Sequence, residues 1–536
     1  MDTFGARIER VIIFTSASAG MDRLVSYSPI TLEEVGSVEV TTADMIPSII
    51  KRSKKSQQEW VALPKKERVE LLRKLSKITA DRCEEIGEIV HKDTGKPKAE
   101  CINTELFVSS SYASYCADWL RNFKFTRKIR MDPIHGMLKL MGRSSVINYK
   151  PAGTVLCISP YNFPISIPFT EIAAAVAAGN SVILKPSSNT PLCGEAIAEL
   201  FRDAGFPKDL VICVHGPGIG DALTKAEGIN RIVFTGSTET GKTIMKSASE
   251  RLVPVTMELG GCDSMIVLKD ADIGRAVRAA VWGSFANSGQ VCVGVQRIMV
   301  QKDVYEEFRD RYVEKVRSLK LGDGWNDPEV SVGPVISERA MNDVLDAIEK
   351  AKEAGGRILC GGKRADMKGY FIEPTVVEGL PVDSEIYNTE VFGPFTTIIS
   401  FEDEDEAIRI TNACPYALGG SVWTSDLKHG RELISRMDSG NLDVNNLIYG
   451  FGIGATPWGG SKDSGFGRSH GDSGFLELME VQHIHSDKGK YHDPWWMPYS
   501  EGSTELQTEM TQSLFGSRKG KLGFFKHALP YMRRKD

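Results

Sequence analysis

Between Thr154 and Phe234 the chain alternates short apolar runs with helical segments, and this alternation constrains the fold more than any other feature. The runs are Thr154–Ile158, Ser181–Leu184, Leu210–Cys213 and Arg231–Phe234. Continuous apolar runs of this length, joined by helical crossovers, are typical of a parallel sheet that is covered on both faces. The pattern therefore predicts an α/β protein with a Rossmann-like, doubly wound sheet.

A second α/β alternation runs from about Val291 to Trp423. It contains the predicted strands Arg297–Val300 and Phe395–Phe401 and a long amphipathic helix over Glu338–Ala354. Earlier in the chain, 65–96 has the apolar spacing of helices, and 127–149 has two apolar runs around a proline and a glycine, as a hairpin does. We therefore predict two α/β lobes and a small β element.

Composition excludes several classes of protein. The chain has 536 residues, with 65 basic and 70 acidic side chains and 25% charged residues, which argues against disorder and against a nucleic-acid-binding surface. No apolar run approaches the roughly 20 residues of a membrane span, and the run Val11–Phe14 is shorter than the core of a signal peptide. The 10 cysteines form no CxxC pair and no cluster with metal-ligand spacing in sequence, so we predict a cytoplasmic protein without a metal.

Short motifs that contain reactive or glycine-rich residues recur along the chain. Taken singly they say little, because a lone cysteine is more often a core residue and a lone glutamate can cap a turn. The motifs are Ser159-Pro-Tyr-Asn-Phe-Pro164, Phe234-Thr-Gly-Ser-Thr-Glu-Thr-Gly241, Glu258-Leu-Gly-Gly261, Phe285-Ala-Asn-Ser-Gly-Gln-Val-Cys292, Glu390-Val-Phe-Gly-Pro394 and Pro457-Trp-Gly-Gly-Ser-Lys-Asp-Ser-Gly-Phe-Gly-Arg468. Together, and in this order over about 25–485, they strongly resemble the NAD(P)-dependent aldehyde dehydrogenase superfamily.

The resemblance implies three catalytic residues. Cys292 matches the nucleophile, whose thiolate adds to the aldehyde carbonyl to give a hemithioacetal and later a thioester. The side-chain amide of Asn162 and the backbone N–H of Cys292 match the donors that hold the oxyanion. Glu258 matches the carboxylate that activates water for thioester hydrolysis. Because CoA-acylating relatives typically lack this glutamate, the expected product is a free carboxylic acid.

The resemblance also implies a nicotinamide cofactor site. Lys185 matches the lysine at the adenine ribose, and Glu390 and Phe392 match residues at the nicotinamide ribose. The remaining predicted cofactor residues follow a strand or open a helix: Gly236, Ser237 and Gly241. Many NAD-preferring members have a glutamate three residues after the lysine, where this chain has Ser188. Without that carboxylate a 2′-phosphate is acceptable, so we predict use of NAD or NADP with a lean to NADP.

Substrate identity is the least constrained part of the prediction. The segment 446–456 matches the loop at the family's aldehyde entrance, and its Leu447, Tyr449 and Phe451 favour an apolar or aromatic aldehyde. Some members that oxidise succinate semialdehyde carry an arginine where this chain has Thr170. A succinate-semialdehyde-type dehydrogenase and a non-catalytic structural homologue are the alternatives that stay open.

The resemblance implies the domain organisation as well. We expect a cofactor-binding domain over 25–126 and 150–261, a catalytic domain over 262–445, and an oligomerisation arm and closing segment over 127–149 and 446–486. A homodimer or tetramer is expected. The extension 487–536 ends in a basic, aromatic tail from Arg518, for which packing on a neighbouring subunit and peripheral contact with an anionic membrane both stay open.

Overall fold

The structure, a computed structural model, describes residues 22–129, 142–491, 493 and 495–516. In chain order the strands are β1 (Arg23–Tyr27), β2 (Glu34–Glu39), β3 (Thr126–Lys128), β4 (Ser144–Pro151), β5 (Thr154–Ile158), β6 (Ser181–Lys185), β7 (Val211–Cys213), β8 (Arg231–Thr235), β9 (Val255–Glu258), β10 (Asp263–Val267), β11 (Val295–Gln301), β12 (Lys320–Leu321), β13 (Val330–Val332), β14 (Arg357–Cys360), β15 (Thr375–Glu378), β16 (Phe395–Phe401), β17 (Tyr416–Ala417), β18 (Gly419–Trp423), β19 (Asn441–Val444), β20 (Ser461–Lys462), β21 (Gly465–Phe466) and β22 (Met479–Ser486). The α-helices are α1 (Ile46–Ala62), α2 (Lys65–Asp81), α3 (Cys83–Thr94), α4 (Lys98–Glu100), α5 (Val108–Asn122), α6 (Ser166–Ala177), α7 (Pro191–Ala204), α8 (Ile219–Lys225), α9 (Thr238–Ser249), α10 (Ile273–Phe285), α11 (Tyr305–Arg317), α12 (Glu338–Glu353), α13 (Glu404–Ala413), α14 (Leu427–Ile434), α15 (Gly471–Glu477) and α16 (Glu501–Phe515).

The chain divides into two units. The larger consists of Met1–Asn122 and Pro151–Met479, and the smaller of Phe123–Lys150 and Glu480–Asp536. The larger unit contains both of the predicted α/β lobes, each built on its own sheet.

The first sheet of the larger unit has six strands in the order β21-β9-β8-β5-β6-β7. The strands β9, β8, β5, β6 and β7 run parallel, and β21 pairs antiparallel with β9 at the edge. The crossover helix α6 is buried along its whole length, which explains why its sequence is apolar on every side. This arrangement confirms the predicted Rossmann-like parallel sheet.

The second sheet of the larger unit has seven strands in the order β14-β15-β16-β11-β10-β18-β19, of which only the edge strand β14 pairs antiparallel. Alternate residues of β10 enter different cores, because successive side chains of a strand point to opposite faces. Met265 and Val267 pack with α10 and α11, whereas Ile266 packs with α12 and α13. The second lobe is therefore a sheet with helices on both faces, and the predicted fold class is confirmed.

The smaller unit contains a three-stranded sheet in the order β22-β4-β3. The strands β3 and β4 pair antiparallel, with Thr126 opposite Asn148. Beyond the sheet, the buried Arg143 guanidinium pairs with Asp487 at 2.6 Å and lies over the ring of Trp495. Most of the two apolar runs around Pro133, from residue 130 to 141, and the basic tail from Arg518 lie outside the described residues.

Among the described residues, no helix has both the length and the apolar character that crossing a bilayer requires. The run 11–14, which is shorter than a signal-peptide core, lies outside the described residues.

Candidate active site

A cavity of about 340 Å³ lies in the larger unit and contains two of the three predicted catalytic side chains. Cys292 and Glu258 both line it. Its other walls are mostly apolar or aromatic, with contributions from Phe107, Val108, Phe163, Ile167, Leu259, Trp282, Val291, Val293, Leu418, Leu447, Ile448, Tyr449, Phe451, Ile453 and Trp458. A concave apolar site with a few polar groups is the usual form of a small-molecule site.

Cys292 follows a turn that has unusual backbone geometry. The turn after α10 places Asn287 and Ser288 in the left-handed region, at φ 49° and 56°. Such conformations cluster at functional sites, where surrounding contacts hold them. Here the Asn287 N–H donates to both carboxylate oxygens of Glu100, at 3.1 and 3.0 Å. Burial raises the pKa of the Cys292 thiol, so a base is needed to form the thiolate.

Asn162 lies beside this turn and is not among the residues that line the cavity. Its buried side-chain amide nitrogen donates to the carbonyl of Gln290 at 3.0 Å, two residues before Cys292. An amide nitrogen carries two hydrogens, so one donor remains for another acceptor. Its backbone carbonyl accepts hydrogen bonds from the Asn287 side chain and from Lys96 Nζ, each at 2.9 Å. Asn162 is thus held to the loop that presents Cys292.

A fully buried ion pair between Lys96 and Glu105 holds the backbone of Asn162 through the Lys96 amine. Lys96 Nζ lies 2.5 Å from Glu105 Oε1, and both side chains are 0% exposed. The other Glu105 oxygen accepts the backbone N–H groups of Ile165 and Ser166 at the start of α6, at 3.1 and 2.7 Å. Glu105 lies in a π-helical segment, 101–107, a distortion that is frequent at functional sites.

Glu258 ends β9, and a second carboxyl group lies near it. Burial, together with the neighbouring Glu171, raises the pKa of Glu258 well above its usual range. Glu171 also lines the cavity, and its oxygens accept hydrogen bonds from Cys157 Sγ and Thr235 Oγ1 at 2.9 and 2.7 Å. Burial raises the pKa of Glu171 to about 7. The Glu171 carboxyl therefore opposes ionisation of Glu258.

Two glycines after Glu258 allow other groups to come close. A Cβ atom on Gly260 would overlap the Glu390 carboxylate, and one on Gly261 would overlap the backbone carbonyl of Cys292. The Gly261 N–H donates to Glu390 Oε1 at 3.2 Å. Burial raises the pKa of Glu390 to about 7, and this hydrogen bond opposes the shift. The Glu258-Leu-Gly-Gly261 motif thereby brings Glu258, Cys292 and Glu390 to one region.

The remaining predicted cofactor residues follow the carboxyl ends of parallel strands, where open α/β sheets bind ligands. Lys185 ends β6 and is half-buried, with its pKa lowered by burial, and Ser188 lies in the exposed turn that follows. Gly236 follows β8, and the Ser237 side chain caps α9 by accepting from the Thr240 N–H.

Close packing explains the two glycines at this strand-to-helix turn. A Cβ atom at Gly236 would overlap the Phe234 ring, and one at Gly241 would overlap Leu259. Phe392 makes an edge contact with Tyr161, with ring centroids 5.9 Å apart. Lys185 and the helix N-terminus fit a dinucleotide phosphate and ribose.

The cavity contains acidic residues and no basic residue among the described residues that line it. Thr170 lines it, so the position at which some family members carry an arginine does face this space. The predicted entrance loop contributes Leu447, Tyr449 and Phe451, as its sequence indicates. Ile448 in the same loop has φ 61°, which is rare for a β-branched residue.

Several residues of the site were not predicted from the sequence. Glu171, Glu100, Lys96 and Glu105 lie outside the motifs identified in the sequence. Each of these residues is charged and lies in a segment that otherwise packs against the rest of the protein. The sequence shows the charge, but only the fold shows that the charged side chain is packed inside. Cys262, which is near Glu258 in sequence, is buried with its Sγ towards the carbonyl of Tyr387.

Comparisons with known proteins place this site in a family context. The sequence model described as "Aldehyde dehydrogenase family" matches residues 14–484. Among curated proteins, a betaine aldehyde dehydrogenase of Brucella anthropi is 34% identical over 488 residues, covering 90% of this chain and 97% of that protein.

Solved structures with a similar fold are also aldehyde dehydrogenases. A putative aldehyde dehydrogenase from Burkholderia cenocepacia has a TM-score of 0.84 at 30% identity, covering 89% of this chain and 96% of that one. An aldehyde dehydrogenase from Bacillus cereus, solved as an NAD+ complex, has a TM-score of 0.82 at 30% identity, covering 87% and 94%. These relatives do not favour a succinate-semialdehyde-type enzyme or a non-catalytic homologue.

Proposed function

The chain belongs to the aldehyde dehydrogenase family and oxidises an aldehyde to the carboxylic acid with NAD(P)+, and we propose that Cys292 and Glu258 carry this chemistry. The observation that supports the assignment is that both side chains line one cavity. Glu390 contacts the Gly260–Gly261 backbone. A nucleophile, a base and a ribose-binding carboxylate are the groups that the reaction requires.

In the proposed first half-reaction, Glu258 takes the proton of the Cys292 thiol, and Sγ forms a bond to the aldehyde carbon. The carbonyl oxygen gains the negative charge and is stabilised by the Cys292 N–H and the second hydrogen of the Asn162 amide. When bound, NAD(P)+ would accept the hydride from the adduct, and Glu390 would hold the nicotinamide ribose. The oxidised adduct would be a thioester on Cys292.

In the second half-reaction, Glu258 first releases the thiol proton to solvent and then deprotonates a water molecule that attacks the thioester carbon. The C–S bond breaks, the acid leaves, and Cys292 recovers its proton. Burial raises the pKa of Glu258, which makes the ionised carboxylate a stronger base. Glu171 contributes by raising that pKa further.

For the substrate we propose an apolar or aromatic aldehyde. Large apolar side chains are exposed around the cavity, with Phe107 at 64%, Tyr449 at 60% and Trp282 at 43%. Exposed apolar clusters of this kind mark binding sites. A dicarboxylic semialdehyde lacks a cationic partner on the described walls.

A quaternary-ammonium aldehyde is the second candidate. The aromatic walls include Trp282, Phe451 and Trp458, and Glu100 and Glu171 add carboxyl groups. Aromatic faces hold quaternary ammonium ions by cation–π attraction. The Brucella anthropi relative is named for such a substrate, betaine aldehyde.

For the cofactor we propose both NAD and NADP, with NADP preferred. Ser188 lies in an exposed turn three residues after Lys185 and presents a hydroxyl in place of a carboxylate. A hydroxyl donates to a phosphate, whereas a carboxylate repels it. The amine of Lys185, three residues earlier in the sequence, would add a positive charge.

We propose the domain roles, assembly and location from the family resemblance and the sequence. The cofactor domain is 25–126 with 150–261, the catalytic domain 262–445, and the arm and closing segment 127–149 with 446–486. The arm forms a homodimer or tetramer. All ten cysteines lie in the described residues and are free thiols, which supports a reducing, cytoplasmic location.

The C-terminal tail has two proposed roles, packing on a neighbouring subunit or contact with an anionic membrane. The basic and aromatic residues from Arg518 support either role. Co-sedimentation of the full chain with anionic liposomes, compared with a chain truncated after His485, distinguishes them. Equal sedimentation of both chains would exclude the membrane role.

The experiment that tests the function is an aldehyde panel with NAD and with NADP, followed by cofactor absorbance. The panel contains hexanal, benzaldehyde, betaine aldehyde and succinate semialdehyde. Cys292→Ala should abolish cofactor reduction, and Glu258→Gln should slow the first turnover and lose steady-state turnover. A Cys292→Ala protein with wild-type rates would overturn the assignment, and the highest kcat/KM on succinate semialdehyde would overturn the apolar-aldehyde proposal.

A further inference from the structure

Three side chains with metal-ligating atoms converge beside the first sheet, outside the cavity. His215 Nε2 lies 2.9 Å from Glu195 Oε1 and 3.3 Å from Cys213 Sγ. All three ligand atoms lie within 4.8 Å of one another. The reaction proposed above uses none of these residues.

The local fold explains why these side chains meet. Cys213 is the last residue of β7, and His215 follows two positions later, so the two side chains leave the strand end in similar directions. Glu195 lies on α7, which packs over this strand end. Its neighbour Gly194 permits the approach, since a Cβ atom there would lie 3.0 Å from Cys213 Sγ.

The backbone of His215 is fixed independently of its ring. Its carbonyl accepts from the Thr41 N–H at 2.8 Å, and its N–H donates to Thr41 Oγ1 at 3.3 Å. The His215 side chain is 3% exposed, whereas the Glu195 side chain is 43% exposed. The cluster is therefore anchored on one side and open to solvent on the other.

From this geometry we propose that Glu195, Cys213 and His215 bind a zinc ion. Zinc accepts thiolate, imidazole and carboxylate ligands at about 2.0–2.3 Å, usually in tetrahedral geometry. Those bond lengths place neighbouring ligand atoms roughly 3.3–3.6 Å apart. The observed 2.9 and 3.3 Å contacts need to open by only a few tenths of an ångström.

Protons and charge are accounted for in the proposed zinc-bound state. The Cys213 thiol loses its proton to solvent as the Zn–S bond forms, and His215 binds through Nε2 in its neutral form. The two anionic ligands offset the charge of Zn²⁺, and a water molecule completes the tetrahedron on the solvent side. Softer thiolate and imidazole ligands favour zinc over magnesium or calcium, which prefer oxygen.

Cobalt substitution tests the site without reference to catalysis. The untagged full chain, stripped with a chelator, is titrated with Co²⁺, whose absorption spectrum reports tetrahedral geometry and thiolate ligation. One equivalent per chain should produce a thiolate-to-cobalt charge-transfer band, and Zn²⁺ should abolish the band by displacement. Cys213→Ser should remove the band.

Matched variants separate this site from other thiols. Cys360→Ser makes the same chemical change at a half-buried cysteine on β14, and Cys292→Ala removes the candidate nucleophile. Both should keep the band. Glu195→Gln alters a solvent-exposed side chain and should weaken Zn²⁺ binding by at least about 10- to 100-fold, the loss that changing an outer-shell partner causes.

Three results would overturn the proposal: no thiolate band in the wild-type chain, a band that persists in Cys213→Ser, or wild-type Zn²⁺ affinity in Glu195→Gln. If Cys213→Ser does not fold, Glu195→Gln decides by itself. Loss of the band in Cys292→Ala instead would place the metal in the cavity and would equally overturn it.

Discussion

Replacing Lys96 by methionine tests whether the buried ion pair holds the catalytic loop. Methionine has a similar length and keeps apolar contact with Phe163, whose ring lies 4.1 Å from Lys96 Nζ. It removes the salt bridge to Glu105 and the hydrogen bond to the Asn162 carbonyl. Glu105 then remains fully buried, with only two backbone N–H groups to stabilise its charge.

The magnitude follows from the burial of both partners. Breaking a buried pair by removing one member typically costs about 3–5 kcal/mol, because the other charge is left uncompensated. The double variant Lys96→Met/Glu105→Gln should recover part of this loss, since it removes the stranded charge. Displacement of Asn162 should also lower kcat, by up to about 100-fold for a shift of about 1 Å.

Urea unfolding followed by tryptophan fluorescence measures the free energy of unfolding, and steady-state assays measure kcat. The control is Lys302→Met, which breaks a 2.6 Å salt bridge to Glu402 between two well-exposed side chains. That variant should unfold at the wild-type urea midpoint, because exposed pairs contribute little. A loss below about 1 kcal/mol for Lys96→Met, the range of exposed pairs, would refute the reasoning.

Three further variants test the carboxyl groups and the cofactor site. Glu171→Gln removes a negative charge that raises the pKa of Glu258, so the acid limb of the kcat–pH profile should move to lower pH; an unchanged or higher midpoint would contradict the coupling. Gly260→Ala places a Cβ against the Glu390 carboxylate and should lower kcat/KM for the cofactor by about 10- to 100-fold, and a wild-type value would show that Glu390 is not needed there. Ser188→Glu restores a carboxylate and should reduce kcat/KM with NADP more than about tenfold relative to NAD, as like charges cost several kcal/mol; an unchanged ratio would exclude this residue from cofactor choice.

The sequence predicted the elements whose pattern is local. The strand runs Thr154–Ile158 and Arg231–Phe234 and the helix from Glu338 are found within one residue of their predicted ends, because apolar periodicity reflects burial directly. The structure likewise places Cys292 and Glu258, which were identified by motif, on one cavity.

The supporting network could not be predicted because it depends on distant parts of the chain. Lys96 and Asn162 are far apart in sequence. Neither the charge of Lys96 nor the glycine that precedes it indicates that the amine is fully buried. The left-handed conformation of Asn287 and Ser288 is likewise imposed by contacts with Glu100 and neighbouring loops. The proposed zinc ligands have no recognisable spacing in the sequence, because Glu195 lies on a helix and Cys213 at the end of a strand.

The close approach at Gly260 and Gly261 has a consequence for redesign. One peptide segment contacts both the Glu390 carboxylate and the backbone of Cys292, so a change made there to alter the proposed nicotinamide site would also move the candidate nucleophile. The proposed adenosine site, at Lys185 and Ser188, lies on a different strand and turn. On this proposal, cofactor preference can be changed at Lys185 and Ser188 alone, whereas a side chain at either glycine would disturb a closely packed group.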